Sequence, residues 1–331
     1  MTMHSGARIY IAGHRGLAGS AMVRDLRGAG YSHLLMRTHG ELELTDRAAV
    51  ERFFVDEDPE FVIIAAAKVG GIAANSRFPV DFLNQNLAIE QNLIEASHRH
   101  GVKRLLLLGS SCIYPRDCPQ PIREEYLLSG PLEPTNRPYA IAKIAGIEMC
   151  WSFNRQFSTH YLAVMPPNLY GPNDNFDPET SHVLAALIRK AVLARIEGRR
   201  NLAVWGSGTP RREFMHADDL AAACRQLLES SEDVFAELTK PESLPIINAG
   251  SGEDITIRDL AATIAREAGL EGEIIFDRTK PDGTPRKLLD TSRMRNLGWR
   301  PQIQLDAGIR SAISEFKKLA AIEREPDHAR T

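Results

Sequence analysis

The sequence predicts an α/β protein with a doubly wound parallel sheet and a smaller, partly interwoven α/β lobe towards the C-terminus. In the first half of the chain, short apolar segments alternate with segments of helical length, as right-handed β-α-β crossovers require. The first apolar segment, residues 8–12, runs directly into a glycine-rich turn. At 331 residues the chain exceeds a minimal domain, so two unequal lobes are expected.

The turn after the first strand has glycine at every third position, and a helix-compatible stretch follows to about residue 27. Strand, glycine turn and helix are the context of a dinucleotide-binding site, so we predict a Rossmann-type sheet. Gly13 and Gly16 allow a tight turn and close approach of a pyrophosphate to the backbone. Gly19 lets the helix pack closely against the strand.

Basic residues near the second strand favour a phosphorylated dinucleotide. This strand, at about residues 33–36, ends at Arg37, where an NAD-preferring site usually places an acidic residue for the ribose 2′-hydroxyl. Arg37 and Arg15 of the glycine turn are placed to meet a 2′-phosphate, so the sequence predicts NADP(H). The alternative is that Arg37 is solvated and that Glu41 binds the ribose.

The following segments continue the alternation and predict further parallel strands with helices on both faces. The strand at 104–109 brings Ser110 and the residues after it to the carboxyl edge of the sheet, where ligands bind in open α/β folds. The predicted elements are a helix at 46–57, a strand at 61–65, a helix at 79–100, a strand at 104–109, a helix beginning at Pro138 and a strand at 161–165.

The pattern changes after about residue 170, where loops rich in Gly, Pro and basic residues become frequent. We predict that residues 1–170, joined again by 217–250, form an NADP(H)-binding Rossmann domain. Residues 171–216 and 251–331 then form the substrate domain, and the polar tail after Ile322 is expected to fray. Later predicted elements are helices at 181–196, 218–228, 257–268 and 306–319, and a strand of the main sheet at 246–250.

Composition indicates a cytoplasmic protein without a nucleic-acid or membrane partner. The formal net charge is −3, which offers no general attraction to polyanions. The first eight residues lack the apolar core of a signal peptide, and no later run has the length of a membrane span. The 4 cysteines show neither disulfide-framework density nor zinc-site spacing, so we expect reduced thiols and no metal site.

Tyr139 and Lys143 stand four residues apart in a predicted helix, which places both side chains on one face. An ammonium beside a phenol stabilises the phenolate, so we expect Lys143 to lower the pKa of Tyr139 towards that of a working general acid. The spacing alone often occurs by chance, so two surface residues on an amphipathic helix are the default interpretation. The surrounding motifs decide between these interpretations.

Taken in order, the glycine turn, Ser110, the pair Tyr139 and Lys143, and the Asn-Leu-Tyr-Gly-Pro segment at 168–172 resemble the extended short-chain dehydrogenase/reductase superfamily. Within it the chain is similar to the GDP-4-keto-6-deoxy-D-mannose 3,5-epimerase/4-reductase family over residues 8–316. The stretches that carry this similarity are 11–16, 65–71, 109–115, 132–135, 138–146, 204–210 and 280–290.

The resemblance implies one site that inverts C3 and C5 of the keto sugar and then reduces C4 with NADPH. Tyr139 would protonate the C4 oxygen, Ser110 would hydrogen-bond it, and Lys143 would hold the nicotinamide ribose. Cys112 and His182 would be the base and acid of the inversions. From the residues alone, Cys112 would be an inert buried thiol and His182 a solvated or helix-capping histidine.

The same resemblance implies the binding residues for both ligands. NADP(H) would be held by Gly13, His14, Arg15, Gly16, Leu17, Gly19, Arg37, His39, Ala66, Lys143, Pro166, Asn168, Leu169 and His182. The GDP-sugar would be held by Lys190, Trp205, Arg212 and Asp282, with Arg286 as a further candidate. The chain departs from the family pattern at Pro167, where threonine is common, and at His39, where a basic residue is common.

A homodimer through the helices at 79–100 and 138–157 is a further implication of the resemblance. Two other functions stay open at this point. One is a nucleotide-sugar 4-epimerase or 4,6-dehydratase that holds NAD tightly, although such enzymes do not need Cys112. The other is a non-catalytic NADP(H)-sensing protein, which would not need Tyr139 and Lys143.

Overall fold

The computed structural model describes residues 2–280 and 282–322. Its strands are β1 Ile9–Ala12, β2 Leu34–Leu35, β3 Phe61–Ile64, β4 Arg104–Leu108, β5 Tyr161–Met165, β6 Asn168–Tyr170, β7 Asn201–Trp205, β8 Arg211–His216, β9 Ile246–Asn248, β10 Asp254–Thr256, β11 Glu273–Asp277 and β12 Arg286–Lys287. Its α-helices are α1 Leu17–Gly28, α2 Arg47–Glu57, α3 Ile72–Arg77, α4 Pro79–Arg99, α5 Arg137–Phe157, α6 Val183–Ile196, α7 Ala217–Glu229, α8 Glu232–Leu238, α9 Ile257–Ala268, α10 Ser292–Asn296 and α11 Leu305–Ile322.

The main sheet has six strands in the order β2-β1-β3-β4-β5-β9, and every neighbouring pair is parallel. The predicted Rossmann-type fold class is therefore confirmed. The chain reverses its direction across the sheet at β1, since β2 and β3 lie on opposite sides of that strand. Such a switch point opens a crevice at the carboxyl ends of the strands, where open α/β sheets bind ligands.

Helices cover both faces of this sheet, which explains why its central strands are continuously apolar. One buried cluster joins the sheet to α1 and α7, and a second joins it to α2, α4 and α5. All the residues of β1, β3, β4 and β5 are buried. The apolar segments of the sequence therefore form the core that fixes the position of each strand end.

Local signals in the sequence account for the helix boundaries. The Asp46 side chain accepts hydrogen bonds from the backbone N–H groups of Ala48 and Ala49, and α2 begins directly after it. Proline lies in the first turns of α4 and α5, where its missing N–H is not needed. The edge strand β2 is shorter than predicted, and the predicted fraying tail lies outside the described residues.

The smaller lobe contains a sheet of β10, β8 and β12, with β6 paired to β8, and a separate pair of β7 and β11. A third buried cluster packs these strands against α6, α9 and α11. The chain returns to the main fold through α7, which packs on α1, and through β9, which pairs with β5 as predicted for residues 246–250. The domain boundaries at 170, 216 and 250 stay predictions.

A buried carboxylate, Glu213 of β8, ties the smaller sheet to neighbouring segments. Its two oxygens accept the backbone N–H groups of Gly252 at 2.7 Å and Leu289 at 2.8 Å. Burial raises the pKa of Glu213 from 4.5 to about 7, although these hydrogen bonds act in the opposite direction. The folded protein therefore holds a proton on Glu213 that the unfolded chain releases between these two pH values.

We expect the free energy of unfolding to fall as pH rises from about 4.5 to 7, with a Glu213 contribution of up to about 1.4 kcal/mol per pH unit. Urea unfolding at a series of pH values measures this slope. Glu213→Gln removes the contribution, whereas the exposed Glu253→Gln control keeps it. An unchanged slope in Glu213→Gln would show that this carboxyl is ionised throughout.

No helix in the described ranges, 2–280 and 282–322, combines the length and the apolar character needed to cross a membrane.

Candidate functional site

A cleft of about 1190 Å³ opens at the carboxyl edge of the main sheet and is lined by residues of both lobes. It brings together most of the side chains that the sequence singled out. Those that line it are Gly13, Gly16, Leu17, Arg37, His39, Ala66, Ser110, Cys112, Tyr139, Lys143, Pro166, Asn168, Leu169, His182, Lys190, Trp205, Arg212 and Asp282. His14, Arg15, Gly19 and Arg286 lie outside this lining.

The glycine turn forms a tight cradle between β1 and α1. Gly13 has φ +83°, and a β-carbon there would lie 2.6 Å from the backbone nitrogen of Ala66. Gly16 is the N-cap of α1 and offers no side-chain acceptor to the first N–H groups of the helix. These free donors and the helix dipole suit a pyrophosphate, so the turn fits the predicted dinucleotide.

Gly19 allows the first turn of α1 to lie close to the glycine turn, because a β-carbon there would lie 2.1 Å from the carbonyl oxygen of Gly13. We expect Gly19→Ala to displace the cradle and weaken NADPH binding at least about tenfold, which costs about 1.4 kcal/mol of binding free energy. Fluorescence titration with NADPH measures the change. Gly28→Ala at the end of α1 is the control, since a β-carbon at Gly28 would have no described atom within 4 Å.

Arg37 and His39 lie at the end of the cleft predicted to receive the 2′-phosphate. The Arg37 guanidinium pairs with Glu57 and lies 5.3 Å from the centre of the Phe53 ring. The His39 side chain is 85% exposed and lies 3.2 Å from Glu43. Both residues therefore have carboxylate neighbours, so the positive charge at this end is partly balanced.

The alternative ribose ligand, Glu41, has a local partner. Its Oε2 accepts the backbone N–H of Thr38 at 2.7 Å, and this hydrogen bond lowers the pKa of Glu41. Among the described residues, Glu41 does not line the main cleft. Arg15 is exposed and close enough to lower the Glu41 pKa further. This geometry favours Arg37 and His39, which line the cleft, over Glu41 as ligands.

Tyr139 and Lys143 lie on α5 as predicted, with the Lys143 Nζ 5.9 Å from the centre of the tyrosine ring. Lys143 Nζ also donates to the carbonyl oxygen of Leu108 at 2.9 Å and pairs with Glu90 Oε1 at 2.9 Å. Burial raises the pKa of Tyr139 well above its usual value, and Cys112 and Glu90 raise it further. The prediction that Lys143 makes Tyr139 acidic is therefore wrong, because burial of the phenol outweighs the lysine charge, which Glu90 also balances.

Ser110 and Cys112 lie in the tight turn that follows β4. The Ser110 Oγ accepts the backbone N–H of Cys112 at 3.3 Å, which fixes the turn. Cys112 is 5% exposed, and burial raises the pKa of its thiol. The opposing cations are Lys287 and, more weakly, Lys143. Sequence reasoning anticipated a cation near this thiol but did not identify Lys287.

Strand alternation explains why Lys287 and not its neighbour reaches the cleft. Successive side chains of a strand point to opposite sides, and β12 pairs Lys287 with Arg212 of β8. Arg286 pairs with Asp254 at 2.5 Å, outside the lining of the cleft. The prediction of Arg286 as a substrate ligand is therefore not supported by this geometry. Recognising residues 286–287 as a strand would have placed Lys287, rather than Arg286, on the cleft side.

His182 is the N-cap residue of α6, with φ −77° and ψ 163°. Within the described part of the chain its side chain accepts no hydrogen bond from the helix, so it is not a capping side chain. It lines the cleft, where surrounding protein lowers the pKa of the imidazole. The His182 side chain is exposed to the cleft, where a ligand can reach the imidazole.

The far end of the cleft is basic and aromatic. The Trp205 side chain is 61% exposed, and the Nζ atoms of Lys190 and Lys280 each lie 5.5 Å from its ring centre. An exposed indole offers a face for a nucleobase, and lysines offer charge to phosphates. This end therefore suits a nucleotide.

Arg212 and Asp282 lie beside this nucleotide end. Asp282 accepts the backbone N–H and the hydroxyl of Ser207 at 2.9 and 2.7 Å, which fixes the loop that carries it. Burial lowers the pKa of Arg212, although a guanidinium stays charged. In residues 2–280 and 282–322, no group of three or more His, Cys, Asp or Glu side chains could hold a metal ion.

Sequence reasoning also missed Glu90, which is 1% exposed on the inner face of α4. Its neighbours along that face, Phe82 and Leu93, are apolar and buried. A carboxylate on an apolar helical stripe requires a buried partner, and this requirement is the signal that could have found it. The partner, Lys143, could be identified only once α4 and α5 had been placed side by side.

The chain is similar to known proteins over most of its length. The NAD dependent epimerase/dehydratase family model matches residues 9–238. GDP-L-fucose synthase of Escherichia coli strain K12 is 53% identical over 312 residues, which cover 94% of this chain and 97% of that relative.

Two solved structures share the fold over nearly the full length. A GDP-6-OMe-4-keto-L-xylo-heptose reductase from C. jejuni is 34% identical, with a TM-score of 0.90 and coverage of 96% of this chain and 100% of that one. A GDP-L-fucose synthetase from Naegleria fowleri bound to NADP is 27% identical, with a TM-score of 0.87 and coverage of 97% and 96%. The chain belongs to the NAD-dependent epimerase/dehydratase family and, within it, to the GDP-L-fucose synthases.

Proposed function

We propose that this protein converts GDP-4-keto-6-deoxy-D-mannose to GDP-L-fucose, inverting C3 and C5 and reducing C4 with NADPH. The observation that carries this proposal is that one cleft is lined by Tyr139 and Lys143, suited to reduction, and by Cys112 and His182, suited to inversion. The 53% identity to the E. coli GDP-L-fucose synthase supports the choice of substrate.

NADP(H) is the coenzyme, and the Naegleria relative of the same fold is bound to NADP. The glycine cradle and the start of α1 suit its pyrophosphate, and Arg15, Arg37 and His39 suit the 2′-phosphate. His14 lies within the glycine turn, while Ala66, Pro166, Asn168 and Leu169 line the cleft towards the catalytic residues. When bound, NADPH supplies the hydride for C4.

For the reduction, the Tyr139 hydroxyl donates a proton to the C4 oxygen. Its raised pKa keeps the phenol protonated through the neutral range, so the donor is present without prior activation. The Ser110 hydroxyl hydrogen-bonds the same oxygen, and Lys143 holds the nicotinamide ribose. Proton delivery at this oxygen neutralises the charge that would otherwise develop on it.

For the inversions, Cys112 acts as base and His182 as acid on opposite faces of the sugar. A carbon beside a carbonyl is inverted when its proton is removed on one face and returned on the other. Burial favours the protonated thiol of Cys112, so the reacting thiolate needs the nearby charges of Lys287 and Lys143. We therefore expect the loss of the Lys287 charge to affect inversion more than NADPH binding.

The GDP group occupies the basic and aromatic end of the cleft. Trp205 offers a face to the base, while Lys190 and Arg212 neutralise the pyrophosphate. Asp282 is fixed by Ser207 and can accept a hydrogen bond from the nucleotide. These contacts would suit other bases too. Guanine is proposed because the names of the relatives refer to GDP-sugars.

The proposed function is tested by measuring, from the absorbance of NADPH, how much NADPH is oxidised by a limiting amount of the sugar substrate. We expect one equivalent of NADPH to be oxidised with GDP-4-keto-6-deoxy-D-mannose and much less with the matching dTDP sugar. A 4-epimerase or dehydratase with tightly held NAD, or a non-catalytic sensor, would oxidise none. The absence of oxidation with the GDP-sugar would therefore reject the proposal.

We also propose a homodimer formed through α4 and α5. Val80 and Phe157 leave apolar side chains exposed on these paired helices. We expect Phe157→Arg to shift the protein from dimer to monomer in analytical ultracentrifugation, because it places a charge in an apolar interface. Val55→Arg on α2 is the control, since Val55 is also exposed. A monomeric parent protein would contradict this assembly.

The cytoplasm is the proposed location of the reaction. Within the described residues all four cysteines are free, including Cys112, whose proposed role needs a reduced thiol. The cytoplasm keeps thiols reduced, whereas oxidising compartments favour disulfides. Alkylation of free thiols in intact cells, followed by mass spectrometry of the protein, should find Cys112 reduced.

A further inference from the structure

Glu90 is a buried carboxylate between two helices, α4 and α5, at the back of the catalytic cleft. It is 1% exposed, and its Oε1 lies 2.9 Å from the Nζ of Lys143, which is 2% exposed. Among the described residues, neither Glu90 oxygen has a hydrogen bond of good geometry. The ion pair with Lys143 is therefore the interaction that compensates for burying this charge.

The opposite helix leaves room for this carboxylate. A β-carbon at Gly146 of α5 would lie 2.4 Å from Glu90 Oε2. Glycine is unfavourable inside a helix because it loses more conformational freedom than alanine. The same β-carbon would lie 2.9 Å from Leu107 Cδ2, so a larger residue at this position would displace Glu90 and crowd Leu107.

An ammonium has three protons, and the structure accounts for two of those on Lys143. One is donated to the carbonyl oxygen of Leu108 at 2.9 Å, and one faces Glu90. Because Lys143 also lines the cleft, the third proton is left for a ligand there. We propose that Glu90 is a positioning residue for the C4 reduction: its carboxylate anchors Lys143 and balances its charge beside Tyr139.

The charges around Glu90 agree with this role. The groups that face it are Lys143, Tyr139 and Cys150 on α5, with Cys112 near Tyr139. Burial raises the pKa of Glu90 by more than Lys143 lowers it, and the Glu90 charge adds to the raised pKa of Tyr139. Without the carboxylate, the lysine charge would act on the phenol unopposed and stabilise the phenolate.

The inference rests on the proposed reductase function, so its test includes a measurement that needs no reaction. The phenol of Tyr139 is titrated by NMR in protein labelled with 13C at the tyrosine ζ carbon, with Tyr139→Phe used to assign the resonance. We expect Glu90→Gln to lower the pKa of Tyr139 by about 1–2 pH units. An unchanged titration in Glu90→Gln would overturn the proposal, whether or not the protein is a reductase.

The kinetic arm follows NADPH oxidation against pH in the same variants. Reduction needs the protonated phenol, so Glu90→Gln should move the alkaline limb of kcat/KM to lower pH by the same amount. Glu90→Asp keeps the charge and should keep the limb near its original position. Glu95→Gln, half-buried on α4 and paired with Arg99, is the matched control and should not move it.

Two outcomes separate this inference from the proposed function. If the parent protein oxidises no NADPH, the function fails while the NMR titration still decides the role of Glu90. If Glu90→Gln does not fold, Gly146→Ala takes its place, because it displaces the carboxylate and keeps every charge. Gly146→Ala should then weaken NADPH binding, and unchanged binding would count against the anchoring role.

Discussion

Tyr139→Phe should reduce C4 about 10²–10⁴-fold more slowly than the parent protein, because the variant lacks the hydroxyl proton that neutralises the C4 oxygen. The phenyl ring still fills the space beside Phe82, whose ring centre lies 6.4 Å away, so the fold and NADPH binding should persist. Stopped-flow NADPH absorbance measures the reduction, and fluorescence titration measures binding.

Solvent exchange in this variant adds a second check. The inversions do not need the Tyr139 hydroxyl, so the sugar should still acquire deuterium from D₂O at C3 and C5. Tyr126→Phe, outside the cleft lining in the described residues, is the control and should leave both activities unchanged. Near-normal reduction by Tyr139→Phe would remove Tyr139 from the proton-donor role.

Cys112→Ser and His182→Gln should each slow deuterium exchange at C3 and C5 by about 10²–10⁴-fold. Serine is a far weaker acid than cysteine, and glutamine cannot transfer protons as imidazole does. NMR of the recovered keto sugar after incubation in D₂O gives the exchange rates at the two carbons separately.

Cys118→Ser is the matched control, since Cys118 is partly buried and lies outside the described cleft lining. Undiminished exchange in both Cys112→Ser and His182→Gln would show that other groups carry the inversions.

The sequence predicted the elements whose ends have local signals. The bounds of α9 were predicted to the residue, because Thr256 caps its start by accepting the N–H of Asp259 and Gly269 ends it with φ +71°. The central strands were predicted because each is a buried apolar run. The edge strand β2 is half-buried and short, so its pattern was weaker and its ends were misplaced.

The site was predictable only as far as its residues lie in motifs. The glycine turn, Ser110 and the pair on α5 each follow from local spacing, whereas their shared cleft follows from the order of the strands. Glu90 and Lys287 were missed because each acts across elements that are distant in sequence. The direction of the Tyr139 pKa shift was mispredicted because burial, which depends on the assembled fold, outweighs the lysine charge.

One cleft is expected to perform both the inversions and the reduction. The most direct test incubates the protein with GDP-4-keto-6-deoxy-D-mannose and NADPH in D₂O and examines the product by mass spectrometry and NMR. We expect GDP-L-fucose with one solvent deuterium at C3 and one at C5, formed with one equivalent of NADPH oxidised. A reduced sugar of unchanged configuration without deuterium at C3 and C5 would contradict this expectation.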